Sequence, residues 1–402
     1  MIRHLLKLAW HRKRANVLLL IEIAASFLVV FAVGAFVTYF GGNWRRPLGY
    51  DWRDVWAITI TDERSGSGPE EGEAALAGRL VDELRQVPGV LAAAGVDSPP
   101  YVGWTNISNY DVKDRTIVFM SSGATVGADR VLGLKLLAGR WFSREDDATP
   151  WQAVVIDREM ANDMFGTVQC VGKSIPRDKG GQEGGTLEQR VVGVIEDYRK
   201  DGELAPPDNF VFQYVSPEAR SGPSRTYCLV VRVPPGAPVA LEEAVVGRLR
   251  ALAPQWSFDV NTLDQLRTQR FWSICTPILI LGIVAGFLLL MVTLGLIGVL
   301  WQNVARRTRE LGLRRAMGAT RLGICRQILG ELVLVTAMAL LVGTVLVVQL
   351  PFFDAFDGVP RPTIVSGVLL AIVTILAIAL AAGLYPSWLT TRIHPAEALH
   401  HD

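Results

Sequence analysis

Four long apolar runs restrict the fold of this 402-residue chain more than any other feature of its sequence. They cover residues 17–40, 274–304, 323–350 and 363–386. A helix of about 20 apolar residues crosses the roughly 30 Å of hydrocarbon in a bilayer. Residues 41–273 have instead the mixed composition of a folded domain. The sequence therefore predicts an α-helical membrane protein with four transmembrane helices and a large α/β extracytoplasmic domain inserted between the first and second.

Basic residues beside the apolar runs predict the orientation of the chain in the membrane. Residues 1–16 carry five Lys or Arg and no acid, and residues 305–322 carry a cluster of arginines with Glu310 as the single acid. Because loops rich in Lys and Arg stay in the cytoplasm, we expect both segments and the tail, residues 387–402, to be cytoplasmic. The first segment is also amphipathic, as is typical of the inner leaflet. The loop 351–362 and the domain would lie outside.

The first apolar run is longer than the apolar region of a signal peptide, about 7 to 15 residues, so we expect it to remain as a membrane helix ending at Gly41 and Gly42. Glu22 is its single acid. A carboxylate inside a membrane span often belongs to a functional site, but Glu22 lies near the cytoplasmic end, where it can also reach headgroups or Arg14. Both interpretations stay open.

Residues 41–273 alternate between short β-rich and helical segments, which is typical of α/β folds. We predict strands at residues 56–60, 116–120, 153–156, 190–195, 210–214 and 227–233, and helices at 73–86, 158–165 and 239–252. The segment exceeds the usual domain size of about 100 to 150 residues, so two α/β subdomains are expected. Thr262 and Gln265 form the pattern of a capping box. A helical stalk is expected there, either fused mechanically to the second membrane helix or serving only as a linker.

No residue pattern in the chain points to an enzyme or to nucleic-acid binding. The net charge is +1, and the basic residues cluster beside apolar runs. His394, His400 and His401 form a tail cluster too short for a metal site. Residues 166–174, GTVQCVGKS, have one residue more between their glycines than a phosphate-binding loop has. Cys170 and Cys228 are candidates for a disulfide, but without a repeated spacing two unpaired thiols are favoured.

Residues 303–320 join the second and third apolar runs. Leu313, Ala316 and Met317 recur at helical spacing and form a narrow apolar strip. Gly318 is typical of a position that ends a helix, and Thr320 of one that begins the next. The pattern predicts a short helix along the membrane surface that turns back into the bilayer. From charge alone, arginines that only anchor two membrane helices explain the segment equally well.

Residues 309–320, RELGLRRAMGAT, resemble the signature of the MacB/FtsX-like ABC transporter permease family. Residues 126–147 resemble the core motif of the extracytoplasmic domain of that family. Four short matches follow in the order of the family: VVI at 154–156, MFG at 164–166, VGK at 171–173 and VGVI at 192–195. Residues 385–399 look like its closing motif. The resemblance covers nearly the whole chain, least clearly residues 50–114 and 177–185.

This resemblance implies the permease subunit of an ABC transporter that works by mechanotransmission. A separate ATPase would hydrolyse ATP, and a conformational change of this subunit beyond the membrane would drive export or efflux. ATP and Mg²⁺ would be bound by the partner ATPase, so that this chain is expected to be neither an enzyme nor a cofactor-binding protein. The implied ATPase-coupling residues are Arg309, Glu310, Leu311, Gly312, Leu313, Arg314, Arg315, Ala316, Met317 and Gly318.

The resemblance also implies the surroundings of the chain. It would be a multi-pass protein of the bacterial inner (cytoplasmic) membrane with both termini cytoplasmic. Its partners would be a dimer of ABC ATPase subunits, a second permease copy or a paralogue, membrane lipid and, in an exporter, a periplasmic adaptor and an outer-membrane channel. The alternative is an FtsX-like transmembrane signalling protein that regulates a periplasmic or cell-wall partner without transport. Neighbouring genes and co-purification with an ATPase distinguish these functions.

Overall fold

The computed structural model describes residues 13–62, 74–102, 106–112, 115–175, 188–216, 228–306, 317, 320–349 and 360–390. The chain divides into two units. Asn43–Ser273 form the first, called the α/β unit below. Met1–Gly42 and Ile274–Asp402 form the second, called the helical unit. The predicted amphipathic segment up to residue 12, most of the loop 351–362 and the tail from residue 391 lie outside the described residues.

The described helices and strands follow one another in the order expected of a chain with an α/β domain after its first apolar helix. The helices are α1 Lys13–Trp44, α2 Ala74–Leu84, α3 Ala128–Leu132, α4 Arg158–Phe165, α5 Val239–Leu252, α6 Leu263–Arg306, α7 Arg321–Gln349 and α8 Arg361–Thr390. The strands are β1 Val55–Asp62, β2 Ala92–Val96, β3 Asn106–Val112, β4 Arg115–Ala124, β5 Leu136–Gly139, β6 Gln152–Asp157, β7 Ser174–Ile175, β8 Gln189–Ile195, β9 Phe210–Tyr214, β10 Cys228–Arg232 and β11 Trp256–Thr262.

All described strands of the α/β unit belong to one mixed sheet. Its order is β11-β1-β10-β2-β4-β9-β6-β8-β5, with β3 paired to β4 and β7 paired to β8. The pairs β4–β9 and β6–β8 are parallel, and the other pairs are antiparallel. Because the sheet is continuous, the two expected subdomains would have to share it. Their boundary stays a prediction.

The two faces of the sheet bury different clusters, because successive residues of a strand point to opposite faces. Val230 of β10 belongs to an aromatic-rich core with Phe210 and Phe212 of β9. Leu229 and Val231, its neighbours along β10, belong to a cluster covered by α2 and α5. Val211 of β9 belongs to a third cluster, covered by α4. The helices therefore cover one face of the sheet at two places.

Most elements that the sequence predicts are present, with shifts of a few residues at their ends. The six predicted strands correspond to β1, β4, β6, β8, β9 and β10, and the three predicted helices to α2, α4 and α5. β2, with the sequence AAAGV, has Val96 as its single β-branched residue and contains no aromatic residue, so its local strand signal is weak. β3 is largely polar, and the short β5 lies at the end of the strand order. These strands form because neighbouring strands pair with them.

The helix end predicted for α1 is wrong, and α8 extends beyond the fourth apolar run. α1 continues through Gly41 and Gly42 to Trp44, because a glycine inside a helix costs only about 1 kcal/mol relative to alanine. α8 continues past Pro386 to Thr390. A proline removes one backbone hydrogen bond but does not always end a helix in an apolar surrounding.

Close approach of the helices in the helical unit occurs at small residues. A Cβ on Gly343 of α7 would overlap the ring of Phe27 on α1, one on Gly367 of α8 would meet Ala35 of α1, and one on Gly383 of α8 would meet Leu329 and Leu332 of α7. In α6, Gly295 faces α1, whereas Gly282, Gly286 and Gly298 have nothing within 4 Å among the described residues.

Candidate functional site

The predicted ATPase-coupling residues lie between α6 and α7. Residues 309–316 and Gly318 are outside the described residues, so Arg309, Glu310, Leu311, Gly312, Leu313, Arg314, Arg315 and Ala316 stay a prediction. Met317 is a turn residue that is 74% exposed. The hydroxyl of Thr320 accepts a hydrogen bond of 3.2 Å from the N–H of Gly323, just after α7 begins. Thr320 is therefore the N-cap that the sequence predicts.

The start of α6 is a capping box, as the sequence predicts. The N–H of Gln265 donates to Oγ1 of Thr262 at 3.1 Å, and the N–H of Thr262 donates to Oε1 of Gln265 at 2.9 Å. Both bonds satisfy donors that a helix terminus would otherwise leave free. β11 ends at Thr262 and α6 begins at Leu263, so the strand leads into the helix without a loop.

Two ion pairs hold the first turns of α6 to the loop between β8 and β9. Nε of Arg267 lies 2.5 Å from Oε1 of Glu203, and Nη2 of Arg270 lies 3.1 Å from Oδ1 of Asp201. The guanidinium of Arg267 also lies over the ring of Trp52, 4.5 Å from its centroid. These side chains are largely shielded from water, with exposed fractions between 15% and 29%. Such pairs are stronger than fully exposed ones.

A charged cavity of about 350 Å³ opens in the same unit. Its charged lining consists of Arg46, Arg158 and Arg199 with Glu159, Asp163 and Asp197. Nη2 of Arg158 lies 3.3 Å from Oε1 of Glu196, and its Nε lies 3.7 Å from Oδ1 of Asp197. The opposite charges of the lining therefore balance within the wall of the cavity.

Asp157, beside this cavity, has a carboxyl group whose pKa is raised far above its ordinary value. Burial raises the pKa of Asp157 to about 8, and the nearby carboxylates of Glu159 and Asp197 act in the same direction. Its Oδ1 caps α4 by accepting a hydrogen bond of 2.9 Å from the N–H of Met160. The group has a structural partner, so that we assign it to the helix start and not to chemistry.

The motif at residues 126–147 forms a turn stabilised by a bidentate ion pair. Nη1 and Nη2 of Arg140 donate to the two carboxylate oxygens of Asp146 at 2.8 and 2.5 Å. The N–H of Ser143 donates to the same carboxylate at 2.9 Å. Trp141 and Phe142, between these partners, are buried in the aromatic-rich core. The ion pair therefore fixes the segment after β5, which contributes two aromatic side chains to this core.

Glu22 in α1 faces α6. Its Oε2 would lie 3.2 Å from a Cβ added to Gly295, and among the described residues Glu22 has no hydrogen-bond or ion-pair partner. Gly295 therefore leaves room for the carboxylate at this position. The contact is compatible with both interpretations of Glu22 that the sequence leaves open.

Two of the four cysteines lie in the α/β unit. Cys170 and Cys228 are buried and unpaired, in agreement with the prediction of two free thiols. Burial raises the pKa of Cys228 to about 12 and also raises that of Cys170, which keeps both protonated. In the described part of the chain no three His, Cys, Asp or Glu residues lie together as metal ligands would. Gly166 ends α4, and residues 166–174 lead to β7.

Comparison with known families assigns both units. Residues 17–249 match the MacB-like periplasmic core domain, and residues 273–395 match the FtsX-like permease C-terminal domain. The chain belongs to the MacB-like permease family. Four described helices are long and apolar enough to cross a membrane, Val17–Trp44, Leu263–Gln302, Cys325–Gln349 and Arg361–Leu384. With the family, they indicate a multi-pass protein of the bacterial inner membrane.

Known relatives are named as macrolide exporters. The macrolide export ATP-binding/permease protein MacB of Neisseria gonorrhoeae is 28% identical over 280 residues, which are 68% of this chain and 42% of that protein. Its counterpart in Chromobacterium violaceum is 28% identical over 298 residues, 72% of this chain and 45% of that protein. This chain thus spans less than half the length of these curated relatives. Their named activity is that of longer proteins.

Two solved structures are similar to part of this chain. The similarity to the periplasmic region of MacB from Actinobacillus actinomycetemcomitans covers 54% of this chain and 92% of the chain in that structure, with a TM-score of 0.39 and 17% identity. The similarity to the extracellular domain of the noncanonic ABC-type transporter YknZ from Gram-positive bacteria covers 50% of this chain and 99% of the chain in that structure, with a TM-score of 0.34 and 15% identity.

Sequence reasoning missed the buried charges of the MacB-like chain in the loop after β8. Arg199 is 2% exposed and Lys200 is 1% exposed, although the run EDYRKDGE resembles an ordinary charged surface loop. Burial lowers the pKa of Lys200 to about 8, and its Nζ donates to the carbonyl of Val102 at 2.7 Å. No local pattern distinguishes such a loop from a solvated one, because its partners are far away in sequence.

Proposed function

We propose that this chain is the permease subunit of an ABC transporter that works by mechanotransmission. Membership of the MacB-like permease family supports the transporter class. The observation that carries the mechanism is α6, one helix from the capping box at Thr262 to Arg306, next to the predicted ATPase-coupling segment. A continuous helix transmits rotation or tilt along its length, and α6 stays one helix through Pro277, which removes one backbone hydrogen bond. ATP-driven movement at residues 309–318 would thereby reach the α/β unit.

The proposed orientation follows from the charge of the connecting segments. Both termini and residues 305–322 are cytoplasmic, and the α/β unit lies between the first and second spans on the extracytoplasmic side. The ATPase that binds ATP and Mg²⁺ is a separate subunit present as a dimer. A second permease copy or a paralogue completes the membrane part, and a periplasmic adaptor and an outer-membrane channel extend the path for an exported molecule.

Export is favoured over regulation without transport. The match to the MacB-like periplasmic core domain covers residues 17–249, which include most of the α/β unit. The named relatives are macrolide exporters. We therefore place efflux of a small molecule or peptide before FtsX-like signalling to a cell-wall partner. Co-purification of the chain with an ABC ATPase is the first test of this assignment.

The coupling role is tested by replacing Glu310 and Leu313 together with alanine. We expect stimulation of the ATPase by this chain and export to fall together, because a coupling segment acts only through contacts that differ between the nucleotide states. The ATPase rate of the reconstituted complex and the export rate are the measurements. Glu243→Ala with Leu252→Ala, exposed residues of the same types on α5, form the matched control. Unchanged rates in a correctly inserted double variant would exclude the coupling role.

A further inference from the structure

The loop between β8 and β9, residues 198–205, is called the junction loop below. Its first three side chains, Tyr198, Arg199 and Lys200, are 2%, 2% and 1% exposed. A buried cation costs several kcal/mol unless hydrogen bonds compensate it. A connecting loop that merely closes the chain at the surface does not need such burial, because loops normally keep their charges in water.

The guanidinium of Arg199 donates hydrogen bonds both to the chain at the end of α1 and to the junction loop itself. Its Nη1 donates to the carbonyls of Asn43 at 3.1 Å and Arg46 at 3.0 Å, and its Nη2 donates to those of Glu203 at 2.6 Å and Ala205. The last carbonyls of a helix lack partners within the helix, and they carry the negative end of its dipole. A guanidinium is suited to both needs, because it is always charged and has several donors in one plane.

A second set of bonds reinforces this contact. The side-chain amide of Asn43 donates to the carbonyl of Leu204 at 3.0 Å, and the N–H of Arg199 donates to the carbonyl of Leu48 at 3.0 Å. Gly49, one residue further, has φ +83°, and a Cβ there would overlap the carbonyl of Asp197. The chain that leaves α1 is therefore held against the junction loop by several bonds and by one position that only glycine fits.

The other side of the junction loop holds α6. Glu203 pairs with Arg267 and Asp201 with Arg270, and the two arginines lie on neighbouring positions of one helix face. Nη2 of Arg199 reaches the backbone of Glu203, while the side chain of Glu203 reaches α6. Glu203 therefore connects the end of α1, through Arg199, directly with the start of α6.

The loop is also bonded to the connection between β2 and β3, and it packs against β9. The N–H of Tyr101 donates to the carbonyl of Lys200 at 2.8 Å, and Nζ of Lys200 donates to the carbonyl of Val102 at 2.7 Å. Tyr198 packs against Phe210 and Phe212 of β9. These contacts connect the loop to the rest of the α/β unit.

We infer that the junction loop is the joint that locks the end of α1 to the start of α6, so that both segments move the α/β unit as one body. This inference rests on the proposed function for its consequence, namely that ATP-driven motion enters the unit through both helices together. The joint itself exists independently of that function. Arg199, Asp201 and Glu203 are positioning residues, and they contact no transported molecule in this assignment.

The first experiment measures the joint without nucleotide or partner. Spin labels are placed at Arg45→Cys and Gln269→Cys, both exposed positions next to the joint, in the full chain with its native cysteines replaced. Pulsed electron paramagnetic resonance is expected to give one narrow distance distribution. Glu203→Gln with Asp201→Asn, and separately Arg199→Lys, should broaden it because bonds on one side of the loop are lost. Glu83→Gln, which removes the 2.6 Å pair with Arg248 between α2 and α5, should leave it narrow.

An unchanged distribution in both joint variants would overturn the inference, whatever the chain transports. Arg199→Lys keeps the charge and Glu203→Gln keeps the shape, so a loss of the fold is separated from a loosened joint by circular dichroism of the same samples. The charge swap Glu203→Arg with Arg267→Glu should restore the narrow distribution, because it rebuilds the pair in reverse. If Glu203→Arg or Arg267→Glu alone broadens the distribution and the swap does not restore it, the effect comes from the packing of Arg267 on Trp52. That result would contradict the inference.

The second experiment measures coupling in the complex with the ATPase. The joint variants should keep ATPase stimulation, because they lie outside the coupling segment, but the amount exported per ATP should fall by about fivefold or more. If the unmodified chain neither stimulates an ATPase nor exports, the proposed function fails and the joint is unaffected. If the unmodified chain couples and the joint variants couple equally well, the inference fails and the proposed function stands.

Discussion

Asp157 and Asp146 are both buried in the α/β unit, but their surroundings move their pKa values in opposite directions. Burial raises the pKa of Asp157, whose charged neighbours Glu159 and Asp197 are also acids. Burial acts in the same sense on Asp146, but the hydrogen bonds from Arg140 and Ser143 outweigh it and lower the pKa. Burial alone therefore does not set the protonation state, and the nearest donors decide it.

The raised pKa of Asp157 predicts a pH-dependent contribution to stability. Its folded pKa of about 8 exceeds the ordinary value of 3.8, so the folded chain binds more protons than the unfolded chain between these values. The stabilising contribution is complete below pH 3.8 and is lost as pH rises through about 8. Asp157→Asn keeps the cap of α4 without a titrating group. We expect its free energy of unfolding to decline less steeply than that of the unmodified chain, by up to about 1.4 kcal/mol per pH unit.

The measurement is thermal or denaturant unfolding of the full chain in detergent between about pH 5 and 7. Lys200 acts in the opposite sense only at higher pH, because its folded pKa of about 8 lies below its ordinary 10.5. Asp264→Asn, at an exposed position, serves as the control. Parallel pH profiles for Asp157→Asn and the unmodified chain would contradict the assignment.

The long helices show how a small side chain sets the distance between two elements. In α7, Gly330 and Gly343 are both glycines of an apolar helix, but only Gly343 meets another helix. The ring of Phe27 on α1 occupies the place where a side chain of residue 343 would begin. Gly330 has nothing within 4 Å. Lipid tails are as apolar as the surfaces of membrane helices, so the hydrophobic effect does not drive these helices together. Close packing contacts stabilise their association instead.

The pair Gly343→Ala and Gly330→Ala tests this contact within one helix. At Gly343 the added methyl group must displace Phe27 or the backbone, so we expect a loss of about 1 to 3 kcal/mol in stability. At Gly330 the same change should be neutral or stabilising by up to about 1 kcal/mol, because alanine favours the helix. Unfolding of the full chain in detergent measures both. Equal effects at the two positions would refute the packing of α1 against α7 at Phe27.

At the scale of the whole molecule, the proposed mechanism depends on the side of the membrane on which each segment lies. The charge of the connecting segments predicts that Met317 is cytoplasmic and that the α/β unit, with Val239 on α5, is outside. The two residues are similarly exposed, 74% for Met317 and 71% for Val239. A comparison of the two therefore reports orientation and not accessibility within the fold.

Labelling with a membrane-impermeant maleimide tests the orientation. In spheroplasts of cells whose chain lacks its native cysteines, Val239→Cys should react at once, whereas Met317→Cys should react only after the membrane is made permeable. The extent of labelling on gels is the measurement. Reaction of Met317→Cys from outside in intact spheroplasts would place the coupling segment on the wrong side for an ATPase and would exclude the proposed mechanism.

Much of this architecture follows from short stretches of sequence considered one at a time. A hydrophobic run long enough to span a bilayer, six strands rich in branched and aromatic residues, and the Thr262–Gln265 capping box all depend on residues close together in the chain. The apolar strip and arginines of residues 309–318 were equally visible, but their contact with an ATPase stays a prediction. Family resemblance, and not periodicity, identified that segment.

Local sequence patterns did not predict the contacts between residues that are far apart in the chain. Arg199 and Asn43 are 156 positions apart, so nothing near either one announces that a loop cation caps the end of α1. The parallel pairing of β4 with β9, the place of β2 inside the sheet and the choice of Gly343 over Gly282 for close packing have the same origin. Local propensity depends on neighbours in the chain, whereas burial, strand order and charge pairing depend on which surfaces meet after folding.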